Sequence, residues 1–402
     1  MDEKKKISLF TKSFLIISII NMLLFFGFQI TNVGMPIYVA SLGANDIIVG
    51  LVTTLVTVAS IIFRPLSGVI LDRMNRKLIL LASITVMVIV TAGYVVFPIV
   101  GLILVFRLFQ GVGYSISDTA TSVMVADDIP KERFAEGMGY FTIIAALSAA
   151  VAPVLAVSLM EGSRAMLMIS LAAGGFAAGL ILTLFYKSGK KKSKEEVQEV
   201  KSLERLRVSN LIDKRAILPA GTVALMAIGF GAVVTFIALH SIEQGIENTF
   251  LFFIAYAVST MICRPFLGRI VDKIGFFIPG IVATLGAALC LVLTSFSTSV
   301  LMLCISGAVA GIGFNAGMAT MQTMAVSALP SEKRGVAMST YLLGWDSGVG
   351  IGALTGGIIA GFFDYITMYR AMAIFPLIGF IIFICTGKSK IARYQKSDLS
   401  DK

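Results

Sequence analysis

Arg64, Arg107, Asp118, Arg264 and Asp346 stand inside stretches of sequence that are otherwise long and apolar. A charge in such a stretch costs several kcal/mol unless it finds a partner or water. A carboxyl taken out of water binds a proton more readily than one in water. Asp118 and Asp346 are therefore candidate proton carriers, the alternative being acids that only hold helices together. Asp118 lies about eight residues before the end of its apolar run, and Asp346 about eleven after the start of its own. At about 1.5 Å per residue both sit roughly 12–17 Å from the same edge. Arg107 shares a helical face with Asp118, but the two are roughly 16 Å apart along the axis and need an intermediary. Arg64 and Arg264 lie about 12 Å in from that edge. They can bind anionic groups of a substrate or, as the favoured reading, pair with acids at a gate. Pro65 and Pro265 follow them, each freeing a carbonyl one turn back.

The elements that must position these charges are apolar helices. The chain of 402 residues is 57% hydrophobic and 14% charged, with a mean hydropathy of +0.92. Twelve runs of about 20 apolar residues predict membrane-spanning helices: 14–39, 47–70, 78–97, 99–126, 137–159, 165–186, 216–240, 249–270, 277–297, 299–326, 335–361 and 369–386. The fold class is an all-α polytopic membrane protein. Most of the 33 Lys and Arg fall in the tails and loops of one side. That asymmetry places both termini in the cytoplasm and assigns the net charge of +10 to topology rather than nucleic-acid binding. The N-terminal MDEKKK before a long first span reads as an uncleaved anchor. The four cysteines avoid the external loops, so no disulfide framework is implied. His240, at the outer end of span seven, is expected at the surface, and Glu136 complements the dipole of span five. No phosphate-binding loop, metal-ligand cluster or nucleophile arrangement is present, so neither an enzyme nor ATP-driven transport is supported, and no cofactor is expected.

Residues 187–215 form one long polar segment, which divides an N-terminal six-helix bundle (1–186) from a C-terminal bundle with its tail (216–402). Within the linker Val197, Val200, Leu203 and Leu206 recur every three residues, as suits a helix lying on a lipid surface or a solvated linker. The two halves repeat at an offset of 200. Arg64, Pro65, Gly68, Ile70 and Asp72 meet Arg264, Pro265, Gly268, Ile270 and Asp272; Gly111 and Gly113 meet Gly311 and Gly313. Each half has an even number of spans, so the repeat is parallel, the layout of alternating-access carriers.

The chain resembles a major facilitator superfamily transporter over nearly its whole length, and more narrowly the twelve-helix drug-and-metabolite efflux branch. Three motifs carry the resemblance. The loop after span two reads Gly68-Val-Ile-Leu-Asp72-Arg73-Met-Asn75-Arg76-Lys77. The resemblance implies a cytoplasmic latch between the halves, the alternative being a loop that only sets topology; physically, Gly68 admits a close neighbour and Asp72 can face the positive end of a helix dipole. Asn75 replaces the family's glycine and tolerates a left-handed backbone. The second copy keeps Gly268, Asp272 and Gly275 but loses the basic pair. Span four carries Arg107-Leu-Phe-Gln110-Gly111-Val-Gly113, whose arginine the family associates with proton coupling, the alternative being a structural arginine satisfied by carbonyls. Span five keeps only Pro153 of the antiporter motif, with Ser148, Ala152 and Ala156 still small; the equivalent face of span eleven has Gly348, Gly352, Gly356 and Gly357. Small residues at this spacing make a face for tight helix packing.

These features together imply a secondary transporter of the plasma (inner) membrane, monomeric, exporting a small amphipathic compound or metabolite at the expense of the proton gradient. An importer or facilitator of a sugar or organic solute is the alternative, and a non-transporting receptor or scaffold a remote one. The 19 Met and 28 Phe suit an adaptable apolar cavity.

Overall fold

The computed structural model describes residues 10–130, 133–186, 213–329, 334–386 and 391. The side chains of Asp72, Arg73 and Asp272 and the surroundings of Gly268 lie outside that description, as does the surface-helix expectation for 197–206. The described residues contain no strand. They fold into twelve helices: α1 (Lys12–Ser41), α2 (Asp46–Arg73), α3 (Arg76–Val96), α4 (Val100–Asp128), α5 (Phe134–Glu161), α6 (Ala165–Phe185), α7 (Ile217–Glu243), α8 (Phe250–Ile274), α9 (Phe277–Ser295), α10 (Val300–Ser327), α11 (Arg334–Phe362) and α12 (Tyr365–Thr386). Eleven are long and apolar enough to cross a membrane. The exception is α8, whose apolar part is Phe250–Arg264, because Arg264, Arg269, Asp272 and Lys273 occupy its second half.

Local chemistry fixes the helix starts. Thr11 accepts from Phe14 N and begins α1, while Asn45 accepts from Ile48 N and begins α2. Asn75 accepts from Lys77 N and Leu78 N, which corrects the expectation of a left-handed residue. Its backbone is extended (φ −68°, ψ 109°) because the side chain caps α3. Gly275 at the matching place has φ +76° and ends α8.

The helices form two pseudo-symmetric six-helix bundles, and the repeat recurs in their contacts. A Cβ added at Gly111 would meet Val56 O at 2.5 Å, and one at Gly311 would meet Tyr256 O at 2.5 Å. Gly113 abuts Met87 of α3 just as Gly313 abuts Ala287 of α9. The Gly348 and Gly352 face seats α11 on α7, against Ala224 O and Ile228 O, with Gly356 against Phe236 and Ala232. Buried Ala152, Pro153 and Ala156 lie in α5, where Ser148 donates to Met22 O of α1 at 2.8 Å.

Two faces of the molecule are distinguished by their loops. The basic face carries the α2–α3 and α8–α9 turns; the opposite face carries the α1–α2, α5–α6, α7–α8 and α11–α12 turns. The halves join chiefly where α2 crosses α11. There Gly50 lies under Ala353 O, Gly350 against Thr57 Oγ1 and Gly357 against Asp46 O. Thr54 also donates to Gly350 O at 2.9 Å across the crossing. At the opposite face Tyr365 donates to Asp46, and Glu161 accepts from Thr249 N at 2.6 Å. One apolar core runs through both halves, whereas a second, built from Val223, Val271, Phe276, Met321, Tyr341 and neighbours toward the basic face, belongs to the second half alone.

Candidate functional site

α2, α4 and α11 converge midway between the faces, and each delivers one charge. Arg64 Nη1 donates to Asp118 Oδ2 at 3.0 Å, and Arg64 Nη2 lies 3.3 Å from Asp346 Oδ2. The second contact is an ion pair without hydrogen-bond alignment, for Asp346 Oδ2 has no hydrogen-bond partner. From the helix bounds the three residues lie about 14–18 Å from the basic face, roughly the bilayer midplane. The geometry joins two halves through one guanidinium: Arg64 and Asp118 belong to the first bundle, Asp346 to the second. Two carboxylates against one cation leave the triad a formal charge of −1.

The triad is not sealed. The side chains of Arg64 and Asp346 each keep 16% of their surface, and that of Asp118 27%. Aromatic rings flank the charges. Tyr114, one turn before Asp118, stacks on Phe28 with centroids 3.5 Å apart. Trp345, the only tryptophan, lies 5.2 Å from Phe230, which in turn packs on Phe314 at 5.3 Å.

Arg107 is elsewhere and differently satisfied. It is fully buried, and α1, α2 and α4 supply its acceptors. Nε donates to Val52 O at 2.9 Å, Nη1 to Gln110 Oε1 at 2.7 Å and Nη2 to Asn32 Oδ1 at 3.1 Å. Gln110 is held in turn by Tyr94 OH at 2.8 Å and donates to Thr31 at 2.9 Å. No acid takes part, and Asp118 pairs with Arg64 rather than reaching Arg107 through an intermediary. Sequence reasoning missed Thr31, Asn32 and Tyr94; the signal available was the polar pair Thr31-Asn32 inside the apolar run of α1.

The remaining candidates fall apart from the triad. Arg264 is exposed and forms no ion pair with a described residue, so the two span arginines are not equivalent. The described partners of the α2–α3 loop lie in its own half. Arg76 pairs with Asp127, and Lys77 donates to Leu184 O and Tyr186 O, each at 2.8 Å. Gly68 has open space where a Cβ would point, against the expectation of a close neighbour, because no described residue packs on that point of α2. His240 is buried rather than at the surface. Its Nε2 lies 3.1 Å from Thr294 O and its ring packs on Tyr369, since α9 and α12 close over that end of α7. Arg133 pairs with Glu136 in the exposed first turn of α5.

Two like helix bundles, a charge cluster shared between them at mid-depth and, among the described residues, a junction centred on the α2–α11 crossing define a carrier of the membrane-transport class. The Major Facilitator Superfamily model matches residues 17–300 and 253–397, and the chain belongs to that family of transporters. It is 22% identical over 369 residues to the staphylopine export protein of Staphylococcus aureus, covering 89% of this chain and 91% of that protein. It is 24% identical to a multi-drug resistance efflux pump PmrA homolog of Lactococcus lactis, over 86% and 88% of the two chains. Among solved structures, a bacterial homolog of the human lysosomal transporter Spinster, inward-facing and occupied, superposes with a TM-score of 0.77 at 14% identity, over 97% of each chain. The nucleoside transporter NupG superposes with a TM-score of 0.74 at 14% identity, over 94% of this chain and 100% of that one. At such identities the superpositions speak for the fold alone.

Proposed function

We propose that the protein is a proton-coupled exporter of a small amphipathic compound, working by alternating access in the plasma (inner) membrane. The observation that carries this reading is Arg64 held between Asp118 of its own half and Asp346 of the other. A proton on Asp346 weakens the one ion pair that spans the halves among the described residues. Its loss restores the pair, so proton occupancy biases the rocking of the two bundles. The positive-inside asymmetry assigns the basic face to the cytoplasm. The described contacts between the halves gather at the opposite face and at mid-depth, and Gly68 near the basic face has open space, which supports an inward-facing conformation. Outside, closure rests on the α2–α11 crossing and the Asp46–Tyr365 and Glu161–Thr249 contacts. Export is favoured over import because the staphylopine exporter and the PmrA homolog both match along nearly the whole chain. Each proton entering the cell supplies about 2.3 kcal/mol per 100 mV.

The test begins with culture media of cells lacking and overproducing the protein, which identify the compound released. Inverted vesicles, acidified inside, are then given that compound. The exporter dissipates the imposed proton gradient on its addition, whereas a facilitator carries a downhill flux indifferent to the gradient. Asp346→Asn or Asp118→Asn abolishes uphill transport and leaves exchange. Normal uphill transport by both variants sinks the coupling.

A further inference from the structure

The 200-residue repeat is broken where charge matters. Arg264 occupies the place of Arg64, but Met318 stands where Asp118 does and Ala146 where Asp346 does. The second-half arginine therefore has neither counterpart acid, and it is exposed without an ion pair to a described residue. A bare guanidinium at mid-span is costly in lipid, so its direction matters. Tyr256, Thr260 and Arg264 are spaced four apart and share one face of α8. Around the helix the exposed Val258 and Ile262 lie more than about 100° from Arg264, while the exposed Met261 flanks it on the side away from Thr260.

Thr260, one turn before Arg264, meets α10 at its irregular turn. Gly311–Asn315 is π-helical, a geometry concentrated at functional sites. It places Asn315 Nδ2 2.9 Å from Thr260 Oγ1. Tyr256 leads from there to the aromatic wall, with Phe230 at 6.2 Å and Trp345 beyond it. The second half thus offers, one turn from amide and hydroxyl groups, a cation that has no ion pair to a described residue. Asp118 and Asp346, sharing one arginine, offer an excess of negative charge.

We infer that the substrate is a zwitterion, an amine and a carboxylate on one apolar skeleton. Arg264 seats the carboxylate beside Thr260 and Asn315. Asp118 and Asp346 hold the ammonium group in competition with Arg64, and the Phe230–Trp345 wall takes the apolar part. This rests on the transporter reading and deepens it.

The test uses Trp345 emission of the purified full-length protein. The probes are 4-(2-aminoethyl)benzoate and phenylalanine as zwitterions of two spacings, with phenethylamine and 4-ethylbenzoate as singly charged controls. At least one zwitterion binds saturably and about tenfold or more tighter than either control, the worth of one charge-assisted hydrogen bond. Arg264→Gln removes its advantage over the amine, Arg264→Lys restores part of it, and Asp118→Asn removes its advantage over the carboxylate. No saturable response to either zwitterion, equal binding of the amine, or an undiminished advantage in Arg264→Gln overturns the inference. The vesicle experiment separates this failure from that of the transport reading. A neutral or singly charged released compound that still dissipates the gradient leaves the exporter standing and removes only the zwitterion.

Discussion

The first half of the molecule has concentrated its charge, whereas the second has traded charge for close packing. At one end of the comparison Arg107 of α4 reaches Val52 O of α2 with its side chain. At the matching place Gly307 of α10 lies directly against Phe252 O of α8, where a Cβ would approach to 2.4 Å. Arg64 holds two acids; Arg264 has Met318 and Ala146 at the corresponding positions. Duplication has kept the backbone plan and freed side chains to diverge, so that a symmetric frame surrounds an asymmetric site.

Breaking the triad is expected to have the largest effect. Arg64→Gln leaves Asp118 and Asp346 without their cation and lowers gradient-driven transport about a hundredfold or more, the scale of orphaning a buried charge. Arg264→Gln is expected to raise KM while proton coupling survives. Equal losses of coupling in the two variants, measured in inverted vesicles, would erase the distinction between the halves.

A second comparison sets the two ends of α2 against each other. Gly50→Val forces a side chain toward Ala353 O, where a Cβ already comes within 2.4 Å. It is expected to pry open the opposite face, seen as a longer spin-label distance across the α1–α2 and α11–α12 turns. Gly68→Val meets nothing within 4 Å and leaves this conformation intact. If Gly68 packs closely only when the basic face closes, the same distance shortens or stays while the outward-facing population falls. Identical shifts in both variants would refute the division.

Smaller effects are expected in stability. Arg107→Leu orphans Asn32 and part of Gln110, and thermal unfolding should report a loss of about 1–3 kcal/mol. Asp364, in the α11–α12 turn, accepts from Thr367 N, and that bond holds its carboxyl below the ordinary carboxylate range. A depressed value stabilises the fold above the ordinary carboxyl pKa and loses that contribution as pH falls through the lowered one. Asp364→Ala is expected to cost less than about 1 kcal/mol near neutrality, and nothing at the acid end of a pH series of unfolding scans. The matching residue of the first half, Arg164, makes no side-chain cap to α6, so Arg164→Ala is expected to leave stability unchanged.

Much of the frame was legible because it rests on local composition. Apolar length marked the helices, and glycines at an offset of 200 marked the repeat that Gly111 and Gly311 realise in space. The site was legible only in its members. That Arg64 would choose Asp118 and Asp346 depends on three helices meeting, with the first pair already 54 residues apart. Periodicity within any one helix does not report such a meeting. Arg64 and Arg264 looked alike for the same reason, since their own helices match and the difference lies in α10 and α5. His240 was misplaced because nearness to a helix end suggests exposure, whereas Thr294 of α9 and Tyr369 of α12 cover it there. Gly50 and Gly350 stood unremarked among many glycines until the crossing of α2 and α11 showed what each had to admit.

The π-helical turn of α10 gives that helix a spare residue, and α4 has none at the same place. Absorbing one residue into ordinary helical winding turns everything beyond it by about 100°. Ala316–Ser327 is the part that would turn, and Asn315, bonded to Thr260, sits at the pivot. The two bundles thus differ in the winding of matching helices as well as in their charge.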